Sequence, residues 1–479
     1  MLGTSRRAGL AAPVGAALVV VAALLLVAGP AVARVPVTAA HQPRTAVPAA
    51  IAVAAVPPEV AAAPRTTTRL AQDYLLQARY DTGTGALRVT QQLTLTNRAS
   101  HAIRAVHLSV ISRALRGFTL FAVRVDGAVA EHAWTTTTNL RVSFGRAVQP
   151  GERVVVRMRY RVTPRLQTGA FSARLAREAG VSSFGEWFPI VSREHDSHGV
   201  GDPQVSFRAD SIRLELTTSN PLPRHAVACP GRIRLPASVG RHWTCQVADV
   251  RDFAFVVNPD FHLTSRRVGD TTIRVYTETV GGRVTLDKAA HALRRLNGLL
   301  GPYPYGDLVL AEVGGSSGFS MEYPRQIHLT RSKVADTYVV YHEVAHQWFY
   351  GLLGNDQMRH PWVDEGFSDF LARYLIGVGA NQCSAKNIDV SVFAFPAGLT
   401  SGGNWTDCGG YFFSVFNKST AMLGQVRARM GTDDFFAALR SFIADHRYGV
   451  VTSRQMLEHL EDWNAANLLP IYRAYTRAY

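Results

Sequence analysis

His342-Glu343-Val344-Ala345-His346 sets two imidazoles four residues apart, with a carboxylate one residue after the first. Residues four apart share one face of an α-helix, so both rings can reach a single cation. No Pro or Gly interrupts Tyr341 to Tyr350, and the apolar spacing predicts a helix over 337–352. Glu343 would then stand where its carboxylate reaches a water on the cation without ligating it, and can take that water's proton. The pentapeptide alone also fits a buried histidine pair. A third donor argues for the metal. Glu365 follows His346 after eighteen residues, in Trp362-Val363-Asp364-Glu365-Gly366-Phe367, and opens a second helical segment predicted over 365–376. Two imidazoles and one carboxylate leave a fourth position open, the pattern of a catalytic rather than a structural zinc site.

The pattern H-E-x-x-H-x18-E resembles the M1 family of zinc metallopeptidases, the gluzincin aminopeptidases. Further segments carry the likeness across roughly 70–475. Glu186-Trp187-Phe188-Pro189 is similar to a W-[YF]-P segment, Arg251-Asp252-Phe253-Ala254 to R-D-F-A, and Gly301-Pro302-Tyr303-Pro304-Tyr305 to a G-x-Y-P-Y turn. Met321-Glu322-Tyr323-Pro324 resembles the M-E-[NY] exopeptidase motif. The resemblance implies one Zn2+ per chain on His342, His346 and Glu365, with Glu343 as general base. It implies that Met321 and Glu322 bind substrate, Glu322 holding the free α-amine of a peptide. The chemistry supports that role, since a carboxylate beside a cation site in a partly dry cleft pairs well with an ammonium.

Three departures stand out. Phe319 occupies the position three residues before Glu322 where the motif has Gly. Phe416, in Val415-Phe416-Asn417-Lys418-Ser419, stands where the family places a Tyr that donates to the oxyanion; loss of one such donor typically costs about 10²–10³ in rate. Tyr411, five residues earlier, is a candidate substitute. Third, the chain ends at Tyr479, so no C-terminal helical-repeat domain is expected over the cleft. His360 reads as a loop histidine, and Gly314 to Gly318 as a flexible segment rather than a phosphate loop, because no Lys-Ser/Thr follows it.

The elements that must hold these residues follow from periodicity. Arg6 and Arg7, the uncharged apolar run 14–29 and Ala31-Val32-Ala33 read as a signal peptide over 1–33, with a retained anchor at 14–29 as the alternative. An Ala/Pro/Val-rich linker is expected over 34–68. A β domain is expected over 69–266: Leu87, Val89, Leu93 and Leu95 alternate with polar residues, as do Val154, Val156, Met158, Tyr160 and Val162, and Ile212, Leu214 and Leu216. Such alternation predicts half-buried antiparallel strands. Arg157, Arg159 and Arg161 then read as a solvated face. A catalytic domain is expected over 267–479, in which Thr271 to Thr279 still reads as strand and helical patterns dominate from 335 onward. A helix is expected from an N-cap at Thr285 to Gly301, and others over 416–430, 433–446 and 453–463. The expected fold class is α+β multidomain, an N-terminal antiparallel β-sandwich of saddle-like form followed by a thermolysin-like α/β catalytic domain.

Composition agrees with a folded chain. Of 479 residues 47% are hydrophobic and 18% charged, enough for a sizeable core. The net charge of +15 comes from arginine, with lysine only at Lys288, Lys333, Lys386 and Lys418. No dense basic run marks a nucleic-acid site, and none is expected as partner. Cys229 and Cys245, and Cys383 and Cys408, form two close pairs without zinc-ligand spacing, which fits disulfides in an oxidising compartment, though four cysteines allow three connectivities. The reading is therefore an exported zinc aminopeptidase acting on peptides with a free N-terminus, with possible cell-envelope association. The alternative is a zinc-bearing pseudopeptidase that binds peptides or a partner, with Phe416 as its support.

Overall fold

The computed structural model describes residues 70–165, 174–192, 207–278, 281–314, 319–357, 360–379 and 413–475. The expected leader and linker, Tyr411, and Cys383 with Cys408 lie outside these residues.

Alternation becomes sheet as expected. The strands β1 (Leu70–Tyr80), β2 (Leu87–Asn97), β3 (Phe118–Val125), β4 (Arg153–Val162), β5 (Ala209–Pro223) and β6 (Val239–Val250) belong to one eight-stranded sheet. Short segments Arg232–Arg234 and Ala128–Val129 complete its two ends, in the order Arg232–Arg234, β6, β5, β1, β2, β4, β3, Ala128–Val129. One face is apolar and buried, with Tyr74, Leu76, Leu93, Leu95, Val156 and Met158 among its members. The sheet is not wholly antiparallel: β1 runs parallel to β5, so a crossover rather than a hairpin joins them. Two four-stranded sheets complete this region. Ile190–Val191, Ile103–Ser109, Asn139–Val148 and His132–Trp134 form one; Val227–Ala228, Phe255–Val257, Val181–Phe184 and Leu175–Glu178 form the other. Cys229 and Cys245 are bonded, as their spacing proposed.

The remainder is α/β. Strands β7 (His262–Val268), β8 (Thr271–Thr277), β9 (Asp307–Val313) and β10 (Gln326–Thr330) form a sheet in sequence order, antiparallel at the first pair and parallel at the next two. Helix α1 (Gly282–Leu300) makes the crossover between β8 and β9. It starts three residues before the expected cap. Thr285 lies in its first turn and its hydroxyl donates to the carbonyls of Gly281 (3.1 Å) and Val334 (2.5 Å). Then come α2 (Thr337–Ala345), α3 (Glu365–Ile376), α4 (Lys418–Met430), α5 (Thr432–His446) and α6 (Ser453–Trp463). Helix α2 is shorter than 337–352. Past Ala345 the amides of Gln347 and Trp348 turn to carbonyls three residues back, and Tyr350 adopts φ +103°. No described helix is long and apolar enough to cross a membrane.

The N-terminal sheets and the helical region share one contiguous apolar core, which includes Leu93, Leu140, Val156, Leu293, Val344 and Phe367. Their junction is built from the segments that drew the resemblance. The indole of Trp187 donates to the carbonyl of Phe253 (3.0 Å) and its ring meets Phe255 edge-on at 5.4 Å. The buried Arg251 guanidinium donates to the carbonyls of Leu352 (3.3 Å) and Gly449 (3.0 Å). A side chain on Gly354 would meet that guanidinium at 2.2 Å, so a residue with none is needed there. Arg251 thus clamps the turn that follows α2.

Beside this clamp Arg174 pairs with Glu186 at 3.1 Å, both buried. Asp252 is buried next to them, and burial first, then the charge of Glu186, push its carboxyl up to about 7. A carboxyl raised in the fold is most favourable when protonated, so its contribution is present below its ordinary value near 3.8 and is lost as pH rises through about 7. Asp252→Asn should therefore melt progressively higher relative to the parent as pH rises from 5 to 8 (about). Thermal melts at three pH values check this; a constant difference between the two proteins would refute it.

Candidate metal centre

Helix α2 begins at Asp336, whose carboxylate accepts from the amide of Val339 at 3.2 Å. Its last turn and C-cap place His342 and His346 on one face, as their spacing requires. Their Nε2 atoms stand 3.0 Å apart. Helix α3 begins at Asp364, which accepts from the amide of Glu365 at 2.8 Å and from Gln357 Nε2 at 2.6 Å. That cap aims the first residue of α3 at α2. Glu365 Oε2 lies 3.1 Å from His342 Nε2 and 3.3 Å from His346 Nε2. The three side chains are buried, and one donor atom from each falls within 4.8 Å of the others.

Electrostatics follow from that crowding. His346 Nδ1 sits 3.1 Å from the carbonyl of Phe349. A carbonyl only accepts, so Nδ1 carries the proton and Nε2 turns its lone pair inward. Burial lowers the His346 pKa. Burial also opposes charge on His342, but the hydrogen bond and charge of Glu365, with Glu343 and Asp369 adding, hold it up to about 9. Against its own burial, Glu365 is held below the usual carboxylate range by the two imidazoles it faces, those of His346 and His342. Three buried donors thus converge on a point that favours positive charge. Two imidazoles and a carboxylate fit a divalent cation of borderline softness.

The structure adds residues that the motif reading passed over. Asp369 is buried and accepts from Tyr338 (2.5 Å), Thr420 (2.5 Å) and Arg373 (3.0 Å), so one carboxylate joins α2, α3 and α4. The Tyr338 ring stacks on His342 at 5.7 Å. The signal was available, since Asp369 lies four residues after Glu365 and shares its helix face. Gln347, directly after His346, donates to the carbonyls of Glu322 (3.4 Å) and Tyr323 (3.3 Å) and accepts from the amide of Arg325 (2.8 Å). That one side chain ties the Met321–Tyr323 segment to the end of α2. Met321 bridges His328 of β10, and Glu322 is buried, 3% exposed. Tyr323 fills the space that a side chain on Gly185 would need, its hydroxyl 2.0 Å from that position. Glu343 is also buried. His360 is held elsewhere, its Nδ1 2.9 Å from Ser453 Oγ.

Phe416 lies over the centre. A π-helical turn, Phe413–Asn417, leads into α4 and stacks the Phe416 ring on His342, 5.6 Å between centroids at 14°. Such turns cluster at functional sites. Gly366 permits this approach: a Cβ there would lie 2.5 Å from Ser419 Cβ and 3.1 Å from the Val415 carbonyl. Gly366→Ala must drive α3 and α4 apart, so we expect a loss of about 1–3 kcal/mol in thermal or denaturant unfolding. Gly298→Ala is the control. No neighbour lies within 4 Å of its added carbon, and in the last turn of α1 the change should be neutral or slightly stabilising.

No family model matches the chain. Among characterised proteins it is similar to aminopeptidase M1-B of Oryza sativa subsp. japonica, 21% identical over 254 residues, which are 47% of this chain and 29% of that one. It is also similar to the alanine/arginine aminopeptidase of Saccharomyces cerevisiae, 21% identical over 29% of this chain and 18% of that one. The chain thus spans under a third of the length of these relatives. Among solved structures, an M1 zinc metallopeptidase mutant from Deinococcus radiodurans superposes with TM-score 0.63 at 17% identity, covering 86% of this chain and 95% of that one. The same enzyme's complex with a Tyr-Ser-Ala substrate gives 0.62, at 17% identity over 86% and 95%. The chain has the fold of the M1 zinc metallopeptidases and resembles M1 aminopeptidases in sequence.

Proposed function

We propose that this protein is a zinc-dependent aminopeptidase. The observation that carries the reading is the buried convergence of His342, His346 and Glu365, with Glu343 on the same helix between the two imidazoles. His342, His346 and Glu365 would hold the zinc. When bound there, zinc supplies Lewis acidity toward a carbonyl oxygen and brings the pKa of a water toward neutrality. Glu343 takes the proton of the attacking water and returns it to the leaving amine. Glu322, anchored through Gln347, pairs with the substrate's α-ammonium, so only peptides with a free N-terminus are well placed. This reading takes the sheets over 69–266 as a saddle-like domain, the segment from 267 onward as a thermolysin-like catalytic domain, and the whole as exported.

The test is release of N-terminal residues from a mixed peptide library by the zinc-loaded protein. We expect trimming of free peptides, none of N-acetylated ones, and none by Glu343→Gln, which should keep its zinc. Turnover by zinc-loaded Glu343→Gln would sink the mechanism. Cleavage of N-acetylated peptides at internal bonds would remove the role of Glu322.

The stacking of Phe416 on His342 favours a second reading, a zinc-bearing pseudopeptidase that binds peptides without cleaving them. Phenylalanine brings a ring to the position but no hydroxyl to donate. Phe416→Tyr separates the two readings. A gain in kcat approaching about 10²-fold marks an impaired catalyst that lacks one oxyanion donor. A parent that binds peptide, holds zinc and stays inert with or without the hydroxyl is a binding protein.

A further inference from the structure

The arginines that look scattered in the sequence converge on the exposed face of the eight-stranded sheet. Register makes the convergence. Arg79 of β1 pairs with Arg88 of β2, and Arg88 pairs with Arg161 of β4. Thr90 pairs with Arg159, and Arg157 pairs with Arg124 of β3. Paired residues point to the same side, and all six guanidinium groups are exposed. Like charges directly opposite each other destabilise a sheet, so this placement works against the fold unless it serves a partner. Arg79, Arg88, Arg159 and Arg161 make no ion pair with any described residue. The acid among them, Glu215, is engaged by Arg213 (2.9 Å) and Gln77 (3.1 Å).

Two further features shape this face. A groove of about 640 Å³ crosses it, lined by Arg79, Arg88, Arg159, Thr90, Thr217 and Phe121 among others. Phe121 sits in a β-bulge of β3, between Leu120, which pairs with Tyr160, and Ala122, which pairs with Arg159. The extra residue breaks the alternation and turns the phenyl ring outward, 54% exposed, onto the arginine face.

We propose that this face is a docking surface for an acidic polypeptide segment in extended conformation. Arg157, Arg159 and Arg161 alternate along one strand, so their spacing is about 6.7 Å. An extended peptide with Asp or Glu at every second residue repeats its carboxylates at the same distance. Guanidinium groups bind carboxylates through paired hydrogen bonds, and Phe121 offers an apolar contact for the methylene groups of a Glu side chain on the same face of the peptide. The proposal stands apart from the catalytic reading, since none of these residues belongs to the metal centre.

The test uses the full-length chain and an N-acetylated, dye-labelled peptide of alternating Glu and Thr. About twelve residues suffice to cross the face at ~3.4 Å each. Fluorescence anisotropy should show binding that a Lys-Thr counterpart lacks and that weakens steeply with added salt. Arg88→Glu with Arg159→Glu should weaken it at least tenfold (about), because each change replaces attraction by repulsion. Phe121→Ser should weaken it less. The melting temperature should not fall, since Arg88→Glu removes like-charge pairings with Arg79 and Arg161, and the trimming of short neutral peptides should not change. Equal binding of the acidic and basic peptides, or full binding by the Arg88→Glu/Arg159→Glu protein, would overturn the proposal. So would arginine-dependent binding of single-stranded DNA or phosphatidylglycerol vesicles with none of the peptide.

Discussion

Three hydrogen-bonding atoms that would each prefer water, two imidazole nitrogens and a carboxylate oxygen, are held buried within 3.0 to 3.3 Å of one another. Such an arrangement is costly unless positive charge lies among them. Much of the surrounding structure serves to keep the three from relaxing apart. The cap at Asp364 aims Glu365, the Phe349 carbonyl orients His346, and the Tyr338 and Phe416 rings confine His342. Asp369 binds these supports together through its contacts to Tyr338, Thr420 and Arg373.

The same constraint explains the segments far from the centre. The chain leaves α2 through a tight turn, with Tyr350 at positive φ and Gly351 pressed against the carbonyl of Gln347. Positive φ at a bulky residue persists only where its surroundings over-determine it. Arg251 supplies that by bonding the carbonyls of Leu352 and Gly449. Arg251 in turn depends on the packing of Trp187 on Phe253 and Phe255. The N-terminal sheets are therefore part of the mechanical support of the metal centre. Gln347 extends that support to the Glu322 segment.

Much of this was legible in the residues. Alternation located β2, β4 and β5, and helical spacing located α3 to α6 to within two residues or so, because burying one face imposes a period that needs no knowledge of the partner. Errors fell where a local rule met a tertiary demand. Helix α2 ends at Ala345 because the turn after it must meet Arg251, although nothing in 346–352 forbids a helix. Helix α1 starts early because the Thr285 hydroxyl is taken by the carbonyls of Gly281 and Val334. The antiparallel expectation missed the β1–β5 pair, since alternation reads the same in either strand direction.

By itself the sequence determined what lies within reach of one helical turn. His342, Glu343 and His346 share a face through backbone geometry alone, and Glu365 shares one with Asp369 for the same reason. It also determined which strand faces are apolar. Only the tertiary structure decided that Glu365 meets the two imidazoles, that Phe416 rather than a solvent-facing residue covers His342, and that Gln347 reaches Glu322. It also decided that arginines read singly as a solvated face stand opposite one another as a basic surface. The physical reason is the same in each case. Periodicity acts along the chain, whereas the distance between two elements is set by packing and register across it, and neither is written in the spacing of residues within one element.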